Sequence, residues 1–303
     1  MQDRITERLT GGMVANSPRK VYDGLFNKWR VRRGVIGKSE YLSTDPSGKD
    51  DNENAAIAYV TLNLGPLERD VGTVQNHLQA IGYFHKIMIG INPLREMNRL
   101  QNIMKGARRE KGPTKRKLPV TADDSNCIYK KVNWDYPDSV TVWCTISIAW
   151  FFMLRMGGYL EKAPQEHQSE DKATRHPLRM DEIEPMVNGR RGDWSDDIDE
   201  IAIYISGSKT DWMNQGMVRS HNIIPRDVPN SHLCPVRGLK SLWVISPSKF
   251  QRGNDRVFAS RKSGRPIKPD RVVALLRMAV FEQGMCPTAF SLHSLRSGGA
   301  TAL

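Results

Sequence analysis

Apolar residues recur at helical spacing through the first third of the chain. Val21, Leu25, Phe26 and Trp29 fall on one stripe, and Ser17-Pro18 ahead of them reads as an N-cap followed by proline in the first turn. The polar run over residues 43–54 predicts a loop, and Ala55 to Leu64 a second, short helix. Thr73 is placed to cap a third helix with Val74, Leu78, Ile81 and Phe84 inward. Asn92-Pro93 then breaks the chain, and a fourth helix is expected over Leu94 to Ala107.

The pattern changes after a charged linker, residues 105–119, with Gly112-Pro113 at its centre. Helix signals follow around Thr121-Ala122-Asp123-Asp124. The charge-free run from Ser139 to Leu154 is shorter than the ~20 residues of a spanning helix, so it reads as a buried core helix. Glu200 to Ser206 and Met217 to Ile224 are rich in β-branched residues, and a turn bounded by Gly207 and Gly216 makes them a β-hairpin. Cys234-Pro235 opens a helix through Trp243, and Val257-Phe258 reads as a short strand. Pro269 opens a helix with Val272, Leu275, Leu276, Ala279 and Val280 inward and Gly284 as its stop, and Ser291 can cap a last one.

Composition adds a partner class. Of 303 residues, 45 are Lys or Arg and 33 Asp or Glu, a formal charge of +12. Residues 1–118 hold 21 basic and 12 acidic side chains, so +9 of that charge sits in the N-terminal third. A polyanion, nucleic acid or an anionic membrane, is the expected partner, and a merely solvated positive surface is the alternative. Cys127, Cys144, Cys234 and Cys286 are far apart and match neither a disulfide framework nor zinc spacing. That usage and the polar first residues point to an intracellular protein, nuclear if eukaryotic and otherwise cytoplasmic. The acidic stretch 193–200 reads as a solvated loop.

Three constellations could carry chemistry. His293 and Arg296 are three residues apart, so a helix would put them on one face, where they suit a phosphate. By itself the pair reads first as incidental residues at a helix start. Gly298-Gly299 inside that helix costs about 1 kcal/mol per glycine against alanine, which implies that something packs very close. Arg155 ends the apolar helix before Gly157-Gly158, and either snorkels to water or is held for a purpose. Lys209, in the hairpin turn, is either solvated or a mobile general acid. The linker reads as a tether, a nuclear-localisation-like run, or a strap along a phosphate backbone.

In this order the three resemble the catalytic domain of the tyrosine recombinases, the phage-integrase family. The matching residues are Leu154-Arg155 with Tyr159-Leu160, Ser208-Lys209-Thr210-Asp211, and Leu292-His293-Ser294-Leu295-Arg296 with Gly299-Ala300-Thr301. Residues 72–94, the basic linker and residues 118–121 resemble the family's core-binding region, and the style is closer to integrases of eukaryotic mobile elements. The resemblance implies a mainly α protein. A helical SAM-like core-binding domain over residues 1–112 would join an α+β catalytic domain with a small antiparallel sheet over residues 113–303. It implies that Arg155, Lys209, His293 and Arg296 are catalytic. It also implies that Arg108, Arg109, Lys111, Lys115, Arg116, Lys117, His77 and Lys86 meet DNA. The partner would be double-stranded DNA, with self-association on it, and neither a membrane nor a small-molecule substrate. No metal or nucleotide cofactor would be needed.

In the family, a tyrosine attacks the scissile phosphate to give a 3′-phosphotyrosyl link, and a 5′ hydroxyl reverses it. Two departures stand out. The family's acid three residues after the first arginine is Gly158 here, with Glu161 further on. The last of eight tyrosines is Tyr204, so none follows Arg296 where the family has a second His or Trp and then its nucleophile. The expectation is a chain truncated before that tyrosine. The resulting function is DNA binding with strand cleavage and rejoining, incomplete as given. The alternatives are a non-catalytic DNA-binding protein on the same scaffold, or a protein- or RNA-binding helical scaffold.

Overall fold

Four helices of the first third close around an aromatic core. They are α1 (Asn16–Val35), α2 (Lys49–Leu64), α3 (Val71–Ile89) and α4 (Asn98–Lys111). The structure, a computed structural model, describes residues 16–113, 116–161, 177–205, 215–250 and 255–302. The chain divides into two units, Met1–Lys115 and Arg116–Leu303.

In the first unit Phe26 and Trp29 are buried as the stripe predicts, whereas Val21 is 56% exposed. Trp29 meets Tyr59 edge-on at 5.2 Å and donates to the Glu40 carbonyl at 2.7 Å. Helix α2 begins inside the expected polar loop, because Asp50 and Asp51 in its first turn suit the positive end of the helix dipole. Asp70, not Thr73, caps α3, accepting from the Gly72 amide at 2.7 Å. A short 3-10 turn, Pro93–Glu96, precedes α4 and takes the place of its expected first residues.

The second unit is built on α6 (Pro137–Phe151), which is buried from Val140 to Trp150. Ahead of it α5 (Ala122–Lys130) carries a capping box, with Thr121 and Asp124 each accepting from the other's amide. The chain then forms β1 (Ile183–Val187), β2 (Arg190–Arg191), β3 (Glu200–Ile205) and β4 (Met217–Asn222), an antiparallel sheet of order β2-β1-β3-β4. The expected hairpin is β3 with β4, paired from Glu200↔Asn222 to Ile205↔Met217. Strands β1 and β2 were not expected. β1 contains Pro185 and is short, which hides it from propensity.

Helices α7 (Pro235–Ile245), α8 (Pro269–Glu282) and α9 (Leu292–Ala302) complete the unit. Val257 and Phe258 are buried but form no ladder strand; isolated bridges at Arg179↔Arg256 and Ala259↔Pro266 flank them. Asp138, buried at the start of α6, anchors the segment around them. Burial alone would raise its carboxyl pKa. Bonds from the Arg261 amide, Ser260 and Arg271 outweigh that and hold it below the ordinary range. Among the described residues no helix is long and apolar enough to cross a membrane.

One buried group gives the first unit a pH signature. His77 is fully buried, and its Nδ1 lies 2.7 Å from the Tyr59 hydroxyl. Burial, with Arg69 and Lys28 adding positive charge, pushes its pKa from 6.5 down to about 4. Below pH 6.5 the unfolded chain takes a proton that the folded chain refuses. Stability present above pH 6.5 is therefore lost as pH falls toward 4, by up to about 3 kcal/mol. Urea midpoints of the native chain and of His77→Asn should converge over that range. Parallel pH curves would refute the assignment.

Candidate phosphate-binding site

The buried α6 ends in a tight reversal that turns one side chain out. Met153 adopts φ of 49°, and the Leu154 amide returns to the Ala149 carbonyl at 3.1 Å. Leu154, Tyr159 and Leu160 are buried, while Arg155 between them is exposed. It stands at the start of a 3-10 turn, Met156–Gly158, four residues beyond the end of α6 rather than on it.

Helix α9 brings the second arginine. Leu292, Ser294, Leu295, Gly298 and Gly299 face inward, which leaves His293 exposed and Arg296 half-buried on the other side. The two glycines explain the close seat. A Cβ on Gly298 would drive into the Val120 carbonyl and approach Trp150 Nε1 to 2.9 Å. A Cβ on Gly299 would drive into the Trp150 carbonyl. The same three segments are hydrogen-bonded together. Trp150 Nε1 donates to the Val120 carbonyl at 2.9 Å, and the Val120 amide donates to the Ser294 carbonyl at 2.9 Å.

That seat brings Arg296 near enough to Arg155 for the two charges to interact. Burial, and then the charge of Arg155, hold the Arg296 guanidinium below arginine's ordinary pKa. Among the described residues, none of the Arg155, His293 and Arg296 side chains makes a hydrogen bond or ion pair. Glu161 does not supply the missing carboxylate, because it accepts from Arg256 Nη2 at 2.7 Å. At Gly158 a Cβ would meet open space. Two neighbouring cations with no counter-charge, beside an exposed imidazole, are chemically a socket for a tetrahedral oxyanion.

Among known proteins, no family model and no curated protein matches the chain. A crystal structure of a lambda integrase(75-356) dimer bound to a COC' core site matches 99% of this chain and 83% of its own, at 14% identity and a TM-score of 0.52. The chain has the integrase fold. Looser superpositions are found on a crystal structure of XerA recombinase and on another of a lambda integrase dimer bound to a COC' core site. XerA recombinase is 13% identical with a TM-score of 0.35, over 99% of this chain and 82% of that one. The second lambda integrase dimer is 14% identical with a TM-score of 0.46, over 98% of this chain and 67% of that one.

Of the expected catalytic residues, Arg155, His293 and Arg296 are placed as described, and Lys209 lies outside the described residues. Lys115 also lies outside them. His77 is a correction: with no exposed atoms and its ring held by Tyr59, it belongs to the core of the first unit and has no surface to offer DNA. Lys111 pairs with Asp70, Arg108 donates to Gln75 Oε1 at 2.8 Å, and Lys117 donates to the Thr288 carbonyl. Arg109, Arg116 and Lys86 are exposed. Among the described residues no cluster of His, Cys, Asp or Glu could hold a metal ion.

The glycine seat is testable by contrast. Gly299→Ala should lower stability by about 2–3 kcal/mol, since the Trp150 carbonyl it meets is backbone and cannot swing aside. Gly158→Ala should stay within about 0.5 kcal/mol of the native chain. Urea unfolding of the two variants checks both values.

Proposed function

We propose that this chain binds duplex DNA and presents a phosphodiester to Arg155, His293 and Arg296 for strand cleavage and rejoining. The observation that carries the reading is the convergence of two uncompensated arginines and a histidine, from separate segments, on the fold that the chain shares with lambda integrase. Arg155 and Arg296 grip the non-bridging oxygens and stabilise the charge that grows on them in the transition state. His293 hydrogen-bonds the same phosphate. Lys209 gives its proton to the departing 5′ oxygen. A tyrosine oxygen attacks phosphorus as the bond to that 5′ oxygen breaks, and a 5′ hydroxyl later reverses the step. Copies of the chain associate on the DNA.

None of the eight tyrosines is assigned as nucleophile. Tyr159 lies nearest in sequence to Arg155, but it is 1% exposed, and burial pushes its phenol above the ordinary range. A second reading, a DNA-binding protein without cleavage, is favoured by Gly158 standing where the family carries an acid and by the pairing of Glu161 with Arg256.

Two measurements test these readings. Fluorescence anisotropy at increasing salt should show duplex affinity falling steeply, through release of condensed counterions. Arg155→Ala with Arg296→Ala should weaken binding and flatten the slope by about two. An unchanged slope would remove the phosphate from this site. In a chain extended through the family's tyrosine, Lys209→Ala should keep native DNA affinity and abolish the covalent protein–DNA complex. No complex from the unsubstituted extended chain would favour binding without cleavage.

A further inference from the structure

The segment that enters the second unit is laced to the stretch that leads into His293. Lys117 Nζ donates to the Thr288 carbonyl, the Leu118 amide to the Ala289 carbonyl at 2.9 Å, and the Val120 amide to the Ser294 carbonyl at 2.9 Å. Pro119 between them has no amide to satisfy and a fixed φ, which stiffens the strip. The attachment is graded. At its inner end Val120 is fully buried, its carbonyl accepts from Trp150 Nε1, and Thr121 beyond it is tied to Asp124 by the capping box. At its outer end Lys117 is exposed and Leu118 is 47% exposed. Lys111, the last residue of α4, is held in the first unit by Asp70. The six peptide steps from Lys111 to Lys117 reach at most about 22 Å.

We propose that residues 117–120 are a strap through which DNA engagement by the first unit resets His293. The inference rests on the DNA reading above and adds regulation of the same site. Once the first unit is fixed on a duplex, the separation of Lys111 and Lys117 is set by the duplex and no longer by the tether. A pull along so short a tether peels the exposed end first. Lys117 and Leu118 leave the Thr288 and Ala289 carbonyls, and the peel stops at the buried Val120. The 3-10 turn Pro287–Ala289 then loses its outer brace, three residues before His293 at the second position of α9. Arg296 keeps its seat, because Gly298 and Gly299 rest on the Val120 and Trp150 carbonyls, which the peel does not reach. The arginine is thus set by the fold, and the histidine by the state of the strap.

Nuclear magnetic resonance on the full chain reads both ends of this coupling, as amide hydrogen exchange and as the ring resonances of His293. In Lys117→Ala without DNA, the Leu118 amide should exchange about tenfold faster, the weight of one hydrogen bond, while the Val120 amide stays protected. The His293 ring resonances should move in the same sample. A saturating duplex should accelerate Leu118 in the native chain as well. An insertion of about eight Gly and Ser residues after Gly112 slackens the tether, and the duplex should then leave Leu118 unchanged. His293 resonances that stay put while Leu118 is freed overturn the inference. Acceleration that persists in the lengthened chain also overturns it, since the duplex would then act on the strap directly. Duplex binding that leaves Leu118 unaltered in the native chain overturns it too, and leaves the DNA reading standing. No duplex binding at all removes both.

Discussion

The contact of α9 with the Val120 and Trp150 carbonyls is the constraint from which the rest of the second unit is arranged. Both partners at this seat are backbone, so no side chain can move aside to relieve a misfit. Two glycines inside a helix cost about 2 kcal/mol against alanine. The seat returns that through dense contact, a tryptophan hydrogen bond and a paired backbone segment. It also joins three stretches that are distant in sequence: the strand-like entry at 118–120, the end of α6, and α9. Arg155 and Arg296 come together as a consequence of that joint.

Holding two guanidinium groups together without a carboxylate works against folding. Burial first, and then the charge of Arg155, hold the Arg296 guanidinium below its ordinary pKa. Elsewhere the chain behaves differently. Lys111 meets Asp70, Arg256 meets Glu161 and Arg271 meets the buried Asp138. Among the described residues Arg155 and Arg296 have no such partner, and an anion placed between the two groups would offset their repulsion.

The buried helix before Arg155 was legible, and so was the helix that carries His293 and Arg296. Hydrophobic runs and local spacing report directly on burial and on shared helix faces. His77 was misread because a histidine in a basic, helical region looks the same in sequence whether it faces water or Tyr59. The strand β1 was hidden by Pro185 and by its length.

By itself, then, the sequence determined the helical stripes, the core helix α6, the β3–β4 pairing and the need for a close approach at Gly298-Gly299. Each follows from interactions among residues near in the chain, or from the absence of a Cβ. Tertiary structure decided which backbone fills the space at those glycines, that Glu161 answers Arg256 rather than Arg155, and that His77 is core. Those outcomes depend on where distant segments meet, and the energies that choose among them are long-range packing and desolvation, which no local pattern encodes.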